Sequence, residues 1–358
     1  TLTRYPWLKY SMLIWLILTL MGCHQSANAS LSSPPDGTTS KDANVQSTAS
    51  ATPTGHPPVT PSPSPTSTPA PLVMPPPGGI PHYTLYIHLD YAEKRLEVEE
   101  RIWLWNDTDD IWDKIVLAVP PAYQANTFDL RLMTLTTAHD QYVATVDRHG
   151  IMFHIPLNAP LAPKAPLEIQ LGFAIQLPTV EATAWPPIGN FGWSQRLIQM
   201  GDWHPTLVPY QPGEGWQTWE YYPVGDPVVY EEGTYNVKLV TGEEIIVAAP
   251  GLVQQEGTIR HYHLDHARSF AFLASPEYEK KHGNAGDIPI TSYFLPEYAA
   301  AGQAVLDTAI HAINLYQELY GPYPYAMLAL AQNAYYGAME YSGIISLTGY
   351  GYASYTSN

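Results

Sequence analysis

Residues 336–341 (YGAMEY) combine residue types that are suited to binding an extended peptide. Two small residues, Gly337 and Ala338, allow another backbone to come close because they carry no bulky side chain. Met339 follows, and Glu340 then provides a single carboxylate between apolar neighbours. A carboxylate forms charge-assisted hydrogen bonds with an ammonium group. We therefore expect a peptide backbone to pair beside the small residues while Glu340 contacts a positive charge at the end of the peptide.

Three histidines, His261, His263 and His266, form the other pattern that could do chemistry. In a strand, His261 and His263 would share one face, which is a possible geometry for two metal ligands. We expect no acidic or cysteine side chain nearby to complete a ligand set. We therefore interpret the three as surface or hydrogen-bonded histidines and predict no metal site within this chain.

Aromatic residues are concentrated between residues 191 and 222, where Trp203, Trp216 and Trp219 occur. Exposed aromatic rings can stack on sugars, so a carbohydrate-binding β-sandwich is one interpretation. Such clusters more often form core and domain contacts. We favour the core interpretation and keep the carbohydrate site as an alternative.

The middle of the chain has the alternation of apolar and polar residues that predicts β-strands. It begins at Tyr83 and is clearest from Leu167 to Leu177, where six apolar positions alternate without interruption. Pro and Gly turns separate the short strands, and helical periodicity is scarce. Regularly spaced strands of this kind predict a mainly β fold, with antiparallel sheets packed as a saddle or sandwich.

A mixed α/β pattern begins near Gly286 and surrounds the 336–341 motif. A strand is predicted at 288–295, followed by a helix that opens at Pro296 and carries apolar residues at helical spacing. That apolar face consists of Leu306, Ile310, Ile313, Tyr316 and Tyr320. Short strands at 327–331 and 343–347 then flank the motif, so we expect it to lie in or beside a sheet.

Length and charge narrow the classes of function. The 358 residues, 45% of them hydrophobic, are enough for at least two domains with cores. The formal net charge is −17, and the chain lacks the clustered Lys and Arg on which binding to a phosphate backbone depends. No nucleic-acid partner is therefore expected. The chain starts at Thr1 and ends at Asn358 without the marks of a finished domain, and we expect the natural protein to extend beyond both ends.

The N-terminal part has the pattern of an export signal followed by a tether. Residues 1–23 contain basic residues, an apolar run at 12–21 and Cys23, the only cysteine, and they resemble a lipoprotein signal peptide with its lipobox. An uncleaved membrane anchor is the alternative. Residues 24–80 are rich in Pro, Ser and Thr and predict a disordered linker. We expect lipid attachment at Cys23 and location at the bacterial cell envelope, outside the cytoplasm.

Residues 320–325 (YGPYPY), followed by 337–340 (GAME), resemble the aminopeptidase N family of gluzincin zinc metallopeptidases in order and spacing. Residues 202–205 (DWHP) and 269–275 (SFAFLAS) look like the N-terminal β domain of that family. The resemblance covers about residues 81–358. It implies a β saddle domain followed by a thermolysin-like catalytic domain.

Applied to this numbering, the resemblance implies a β domain at 81–285 and the start of an incomplete catalytic domain at 286–358. It also implies that Gly337, Ala338 and Met339 lie along the substrate backbone and that Glu340 holds the free α-amine. Tyr341 stands where the family commonly has asparagine.

The zinc motif of the family, H-E-x-x-H on a helix, does not occur in the 358 residues. The resemblance implies that the zinc ligands and the catalytic residues follow Asn358, so no catalytic or metal residue is predicted within the chain, which alone would be inactive. We therefore expect the whole protein to be a zinc aminopeptidase that releases N-terminal residues from peptides with a free N-terminus. The alternative is a lipid-anchored, non-catalytic peptide-binding or adhesion relative with the same fold.

Overall fold

Most of the structure is built from strands in which buried side chains alternate with more exposed ones. A computed structural model describes residues 79–184, 187–194, 196–225 and 228–356. In its first strand, Tyr83, Leu85 and Ile87 are buried while the residues between them are half-buried or exposed. The predicted signal peptide with Cys23, and the predicted linker up to residue 78, lie outside the described residues. Within the described ranges, no helix combines the length and apolarity that crossing a membrane requires.

The strands and helices follow one another in a long β series that ends in an α/β segment. The strands are β1 (His82–Asp90), β2 (Arg95–Trp105), β3 (Trp112–Ala118), β4 (Phe128–Thr136), β5 (Gln141–Val143), β6 (Asp147–His149), β7 (Met152–Leu161), β8 (Pro166–Gln176), β9 (Phe191–Trp193), β10 (Ile198–Met200), β11 (Thr206–Leu207), β12 (Tyr210–Gln211), β13 (Gly215–Trp216), β14 (Gly233–Val240), β15 (Ile246–Ala248), β16 (Leu252–Glu256), β17 (Ile259–Ala267), β18 (Phe272–Ser275), β19 (Glu279–Ala285), β20 (Ile288–Phe294), β21 (Leu328–Gln332), β22 (Met339–Tyr341) and β23 (Ile344–Leu347). The helices are α1 (Ala299–Tyr320) and α2 (Gly349–Ser354).

An eight-stranded sheet forms the largest layer, in the order β16-β17-β14-β1-β2-β8-β4-β5. Its pairs are antiparallel except β1 with β14, which run parallel. The strand predicted from Leu167 to Leu177 is β8, which lies between β2 and β4. Its inward residues Leu167, Ile169 and Leu171 are fully buried, as the alternation predicts.

Two four-stranded sheets, β15-β18-β10-β9 and β11-β3-β7-β6, share a core with the large sheet. Residues of β3, β7, β10 and β18 belong to the same buried cluster as those of β1, β2 and β8. Trp203 is in this cluster and has no exposed surface. The fold is therefore mainly β and built from antiparallel sheets, which confirms the predicted fold class.

The α/β segment is organised around a five-stranded sheet in the order β19-β20-β21-β23-β22. Helix α1 packs on one face of it, where Leu306 and Ile313 meet Ile290 and Leu330. The other face meets β15 and β18 through a second cluster that contains Ala248 and Ile344. The predicted domain boundary at 285/286 falls in the turn between the paired strands β19 and β20.

The ends of α1 follow from backbone constraints. Pro296 begins a short 3₁₀ turn, Pro296–Tyr298, and the α-helix itself begins at Ala299, later than predicted. The helix ends at Tyr320 because Gly321 adopts a positive φ of 102°, and its N–H donates to the Gln317 carbonyl. The chain then returns through β21 to the motif.

Candidate functional site

The predicted motif lies at the edge of the five-stranded sheet. Met339, Glu340 and Tyr341 form β22, which pairs with β23 and has no other strand beside it among the described residues. Gly343, at φ +75°, completes the tight turn between the two strands. Gly337 is buried, and the residues from 338 to 341 are half-buried. Strand β22 is therefore the edge strand of this sheet in the described structure.

The side chains of Glu340 and Tyr341 point to opposite faces of the sheet, because neighbouring residues of a strand alternate. Glu340 pairs with Ile345, which packs in the cluster on the α1 side. Tyr341 pairs with Ile344, whose cluster lies on the side of β15 and β18. Tyr341 thus occupies a different face from the Glu340 carboxylate.

Asn333 fixes the loop that leads into the motif. Its side chain is 1% exposed, and its Nδ2 donates to the Gly337 carbonyl at 2.8 Å and to Ser346 Oγ at 2.9 Å. Its Oδ1 accepts hydrogen bonds from the backbone N–H of Tyr335 at 3.1 Å and of Gly349 at 3.0 Å. One buried amide therefore holds both ends of the segment that contains β22 and β23.

The same loop is attached to residues 189–199 of the β-rich part. Tyr335 is buried, and its hydroxyl donates to Asn190 Oδ1. Its ring lies so close to Gly189 that a Cβ there would come within 2.3 Å of the ring. Gln199 accepts from the Ala334 N–H at 3.3 Å and donates to the Gly189 carbonyl at 3.0 Å. Segments far apart in sequence therefore position the motif.

Tyr341 reaches the β-rich part beside a second carboxylate. A Cβ on Gly201 would overlap the Tyr341 hydroxyl, so a larger residue would fit there only if the Tyr341 side chain moved. Asp202 follows at φ +49° and accepts a hydrogen bond from the Tyr230 hydroxyl at 2.8 Å. Burial raises the pKa of Tyr230 well above its usual range, and the Asp202 charge raises it further. Tyr230 is therefore a neutral donor at physiological pH.

Negative charge also acts on Tyr335. Burial is the main cause that raises the pKa of Tyr335, and the charges of Asp202 and Glu340 contribute in the same direction. Both carboxylates therefore contribute to the electrostatic potential around this loop.

An exposed aromatic pair borders the motif. The rings of Tyr336 and Tyr350 stack with centroids 4.6 Å apart and an interplanar angle of 26°. They are 41% and 56% exposed. Exposed tyrosine rings provide apolar contact area together with a polar hydroxyl, so this pair could receive a side chain of a peptide lying along β22.

The histidine pattern forms no metal site in the described ranges, where no group of three or more His, Cys, Asp or Glu could hold a metal ion. Acidic residues do lie beside two of the histidines, but in the described ranges they complete no ligand set. Asp265 Oδ2 lies 3.0 Å from His263 Nε2, and Glu232 Oε2 lies 3.4 Å from His266 Nδ1. Because these residues do not provide a zinc ligand set, no chemical step through zinc is assigned to them.

The tryptophans pack in or against the hydrophobic core, as the favoured interpretation predicts. Trp203 Nε1 donates to the Phe270 carbonyl at 2.7 Å. Trp216 packs against Trp112 and Tyr210 with ring centroids about 5 Å apart. Trp203 is therefore not available as a sugar-stacking platform.

Sequence reasoning missed the residues that support the motif. They are Asn190, Gln199, Asp202, Asn333 and Tyr335. The one usable signal was a polar residue beside apolar neighbours, as in Gln199 between Ile198 and Met200 and in Asn333 after the buried strand β21. Buried amides of this kind need hydrogen-bond partners, but the sequence does not say which.

No protein-family model matches the chain, and no curated protein matches it. Among solved structures it is similar to an M1 zinc metallopeptidase from Deinococcus radiodurans, with 13% identity, a TM-score of 0.49, and coverage of 75% of this chain and 59% of that one. A mutant of that peptidase bound to a Tyr-Ser-Ala substrate gives 12% identity, the same TM-score, and coverage of 75% and 60%. The chain spans less than two thirds of these proteins. Likeness at this identity concerns the fold alone.

Proposed function

We propose that this chain binds the free N-terminus of a peptide at β22, as the substrate-binding part of a zinc aminopeptidase. The observation that carries the proposal is the half-buried carboxylate of Glu340 in an edge strand that follows Gly337 and Ala338. A peptide can add to a free sheet edge through main-chain hydrogen bonds. The α-ammonium of its first residue would then lie against Glu340.

The surroundings of Glu340 support this proposal. Gly337 and Ala338 carry no bulky side chain that would block a second backbone, and the Asn333 hydrogen bonds hold the loop in one conformation. Preorganisation of this kind lowers the entropy cost of binding. The charge of the Glu340 carboxylate favours an ammonium group over a neutral amide. Gly337, Ala338 and Met339 would lie along the peptide backbone.

Peptide hydrolysis belongs to the proposed whole protein, and the described residues would contribute substrate binding. The zinc ligands and the catalytic base would come from residues after Asn358, according to the family resemblance of the motifs. Export, lipid attachment at Cys23 and location at the cell envelope are part of the same proposal and rest on the N-terminal sequence.

The test compares a short peptide with its N-acetylated form by isothermal titration calorimetry. The unmodified chain should bind the free-amine peptide on the order of tenfold more tightly, because one charge-assisted hydrogen bond is lost on acetylation. Glu340→Gln should abolish this preference. Glu279→Gln, in β19 at the opposite edge of the same sheet, is the matched control and should retain it.

Equal affinity of the unmodified chain for both peptides would contradict the amine-binding role of Glu340. Turnover is measured separately on a protein that continues past Asn358. Release of the N-terminal residue supports the peptidase, whereas binding without release assigns the chain to the non-catalytic alternative.

A further inference from the structure

A cavity of about 240 Å³ lies outside the motif, bordered by β15, β16, β17 and β19. None of the residues 337–341 lines it. Its apolar walls include Val247, Ala249 and Met327, and two cationic side chains, Arg260 and Lys280, also line it. The cavity thus combines hydrocarbon surface with positive charge.

Arg260 is a buried cation that forms no ion pair with any carboxylate of the described residues. Its side chain is 4% exposed, although arginine is almost never fully buried unless it is paired. Nη2 donates to the Ile245 carbonyl at 2.7 Å, and Nη1 donates to the Thr258 carbonyl at 3.4 Å. No carboxylate of the described residues lies within 4.0 Å of it. Its hydrogen bonds are partly satisfied, but its charge is not neutralised.

Lys280 is a second cation on the same cavity that has no ion pair among the described residues. It is exposed on β19, and its Nζ lies 5.8 Å from the centre of the Tyr293 ring. The described part of the chain places no carboxylate within ion-pairing distance of Nζ. Loss of solvent around the ammonium is the main cause that lowers the pKa of Lys280, and the Arg260 charge lowers it further. The two cations therefore repel each other.

Glu243 also lines the cavity, but it is exposed and forms no ion pair with either cation. The positive charge therefore exceeds the negative charge around this space, although the chain as a whole is strongly acidic, with a net charge of −17. An anion between the two cations would remove their repulsion and supply the missing countercharge.

We propose that this cavity binds a small organic carboxylate, whose carboxylate group contacts Arg260 and Lys280 and whose apolar part lies against Val247, Ala249 and Met327. Guanidinium and ammonium groups are the cations that proteins use for carboxylates. The apolar walls favour a ligand with a hydrocarbon part over a bare inorganic ion, because burial of apolar surface adds to the affinity. The site is independent of the proposed peptide binding at β22.

The experiment measures hexanoate binding to the purified chain by isothermal titration calorimetry at constant ionic strength. Hexanoate should bind, whereas hexanamide, which has the same shape without the charge, should not. Lys280→Gln should weaken hexanoate binding about tenfold, since one charge-assisted contact is removed. Lys281→Gln is the control, because alternation directs Lys281 to the other face of β19 and its Nζ donates to the Ala299 carbonyl.

A second variant tests the charge argument without disturbing Arg260, whose hydrogen bonds support the fold. Lys280→Glu places a carboxylate beside Arg260, so it should abolish hexanoate binding and raise the melting temperature of the ligand-free protein. The proposal is overturned if hexanamide binds as tightly as hexanoate, if inorganic phosphate binds as tightly as hexanoate, or if Lys280→Glu leaves hexanoate binding unchanged.

Discussion

Among single residues, the buried pair of Glu100 and His204 is the feature that local sequence patterns do not predict. Glu100 occupies an inward position of β2, between the buried residues Val98 and Ile102. Its Oε1 lies 3.1 Å from His204 Nδ1, which also faces the Pro205 carbonyl at 3.0 Å. Both side chains are at most 1% exposed. Since the Pro205 carbonyl can only accept a hydrogen bond, Nδ1 carries a proton and donates to it.

Burial raises the pKa of Glu100 above its ordinary value of 4.5. The native state therefore holds this proton more tightly than the unfolded state does. As pH rises from the ordinary pKa to the raised one, the unfolded state loses the proton first and stability falls. Above the raised pKa this contribution stays constant.

We therefore predict that Glu100→Gln flattens the pH dependence of stability. In the unmodified chain, the free energy of unfolding should fall with a slope approaching about 1.4 kcal/mol per pH unit above the ordinary carboxyl pKa. Urea unfolding at a series of pH values measures the slope. Glu99→Gln, at an exposed neighbouring position, is the control and should keep it. A slope in Glu100→Gln equal to that of the unmodified chain would refute the effect.

At the scale of elements, the contact between helix α1 and the five-stranded sheet determines which apolar residues of the helix are buried. Leu306 and Ile313 are buried, as predicted, and Gly302 lies directly against the Phe294 ring. Tyr320, predicted on the same face, is 40% exposed, so the prediction is wrong there. The buried contacts of α1 lie between Ala301 and Ile313, in the first two thirds of the helix.

Two leucines of α1 provide a matched comparison. Leu306 is 2% exposed and Leu315 is 50% exposed. Leu306→Ala should lower the free energy of unfolding by about 3 kcal/mol, because it removes buried surface and leaves a cavity. Leu315→Ala should change it by less than about 0.5 kcal/mol. Urea unfolding with a common m-value checks both, and a large loss for Leu315→Ala would show that this side of α1 is covered in solution.

At the scale of the whole molecule, distant segments of the chain meet in single sheets. Strand β1 pairs in parallel with β14, so His82 lies opposite Thr234, and β2 lies between β1 and β8. The motif likewise depends on residues 189–202 for its support. Peptide binding at β22 should therefore depend on the integrity of the β-rich part as well as on the motif.

The predicted attachment to the membrane is tested on the exported protein. We expect metabolic labelling with a fatty acid at Cys23, since lipidation of a cysteine after an apolar signal run gives the mature N-terminus of a lipoprotein. Cys23→Ser should abolish the label and release the protein from the membrane fraction. Absence of label in the unmodified protein would contradict the prediction.

The sequence by itself determined where the main strands lie, and it indicated a candidate site. Alternation of apolar and polar residues predicted β1, β2 and β8, and the small residues before Glu340 indicated a place for a peptide backbone. The strand predictions succeed because they depend on local physics, namely the two-residue period of a strand, whereas the place for a peptide backbone stays a prediction.

Only the tertiary structure decided which groups meet. It assigned Asn333 and Tyr335 to support the motif, paired Glu100 with His204, and brought Arg260 and Lys280 to one cavity. None of these contacts has a local signature, because a buried polar or charged group is stabilised by partners that the chain brings from many residues away. The face on which Glu340 lies was settled in the same way, by the pairing of β22 with β23 and by the helix packed on that side of the sheet.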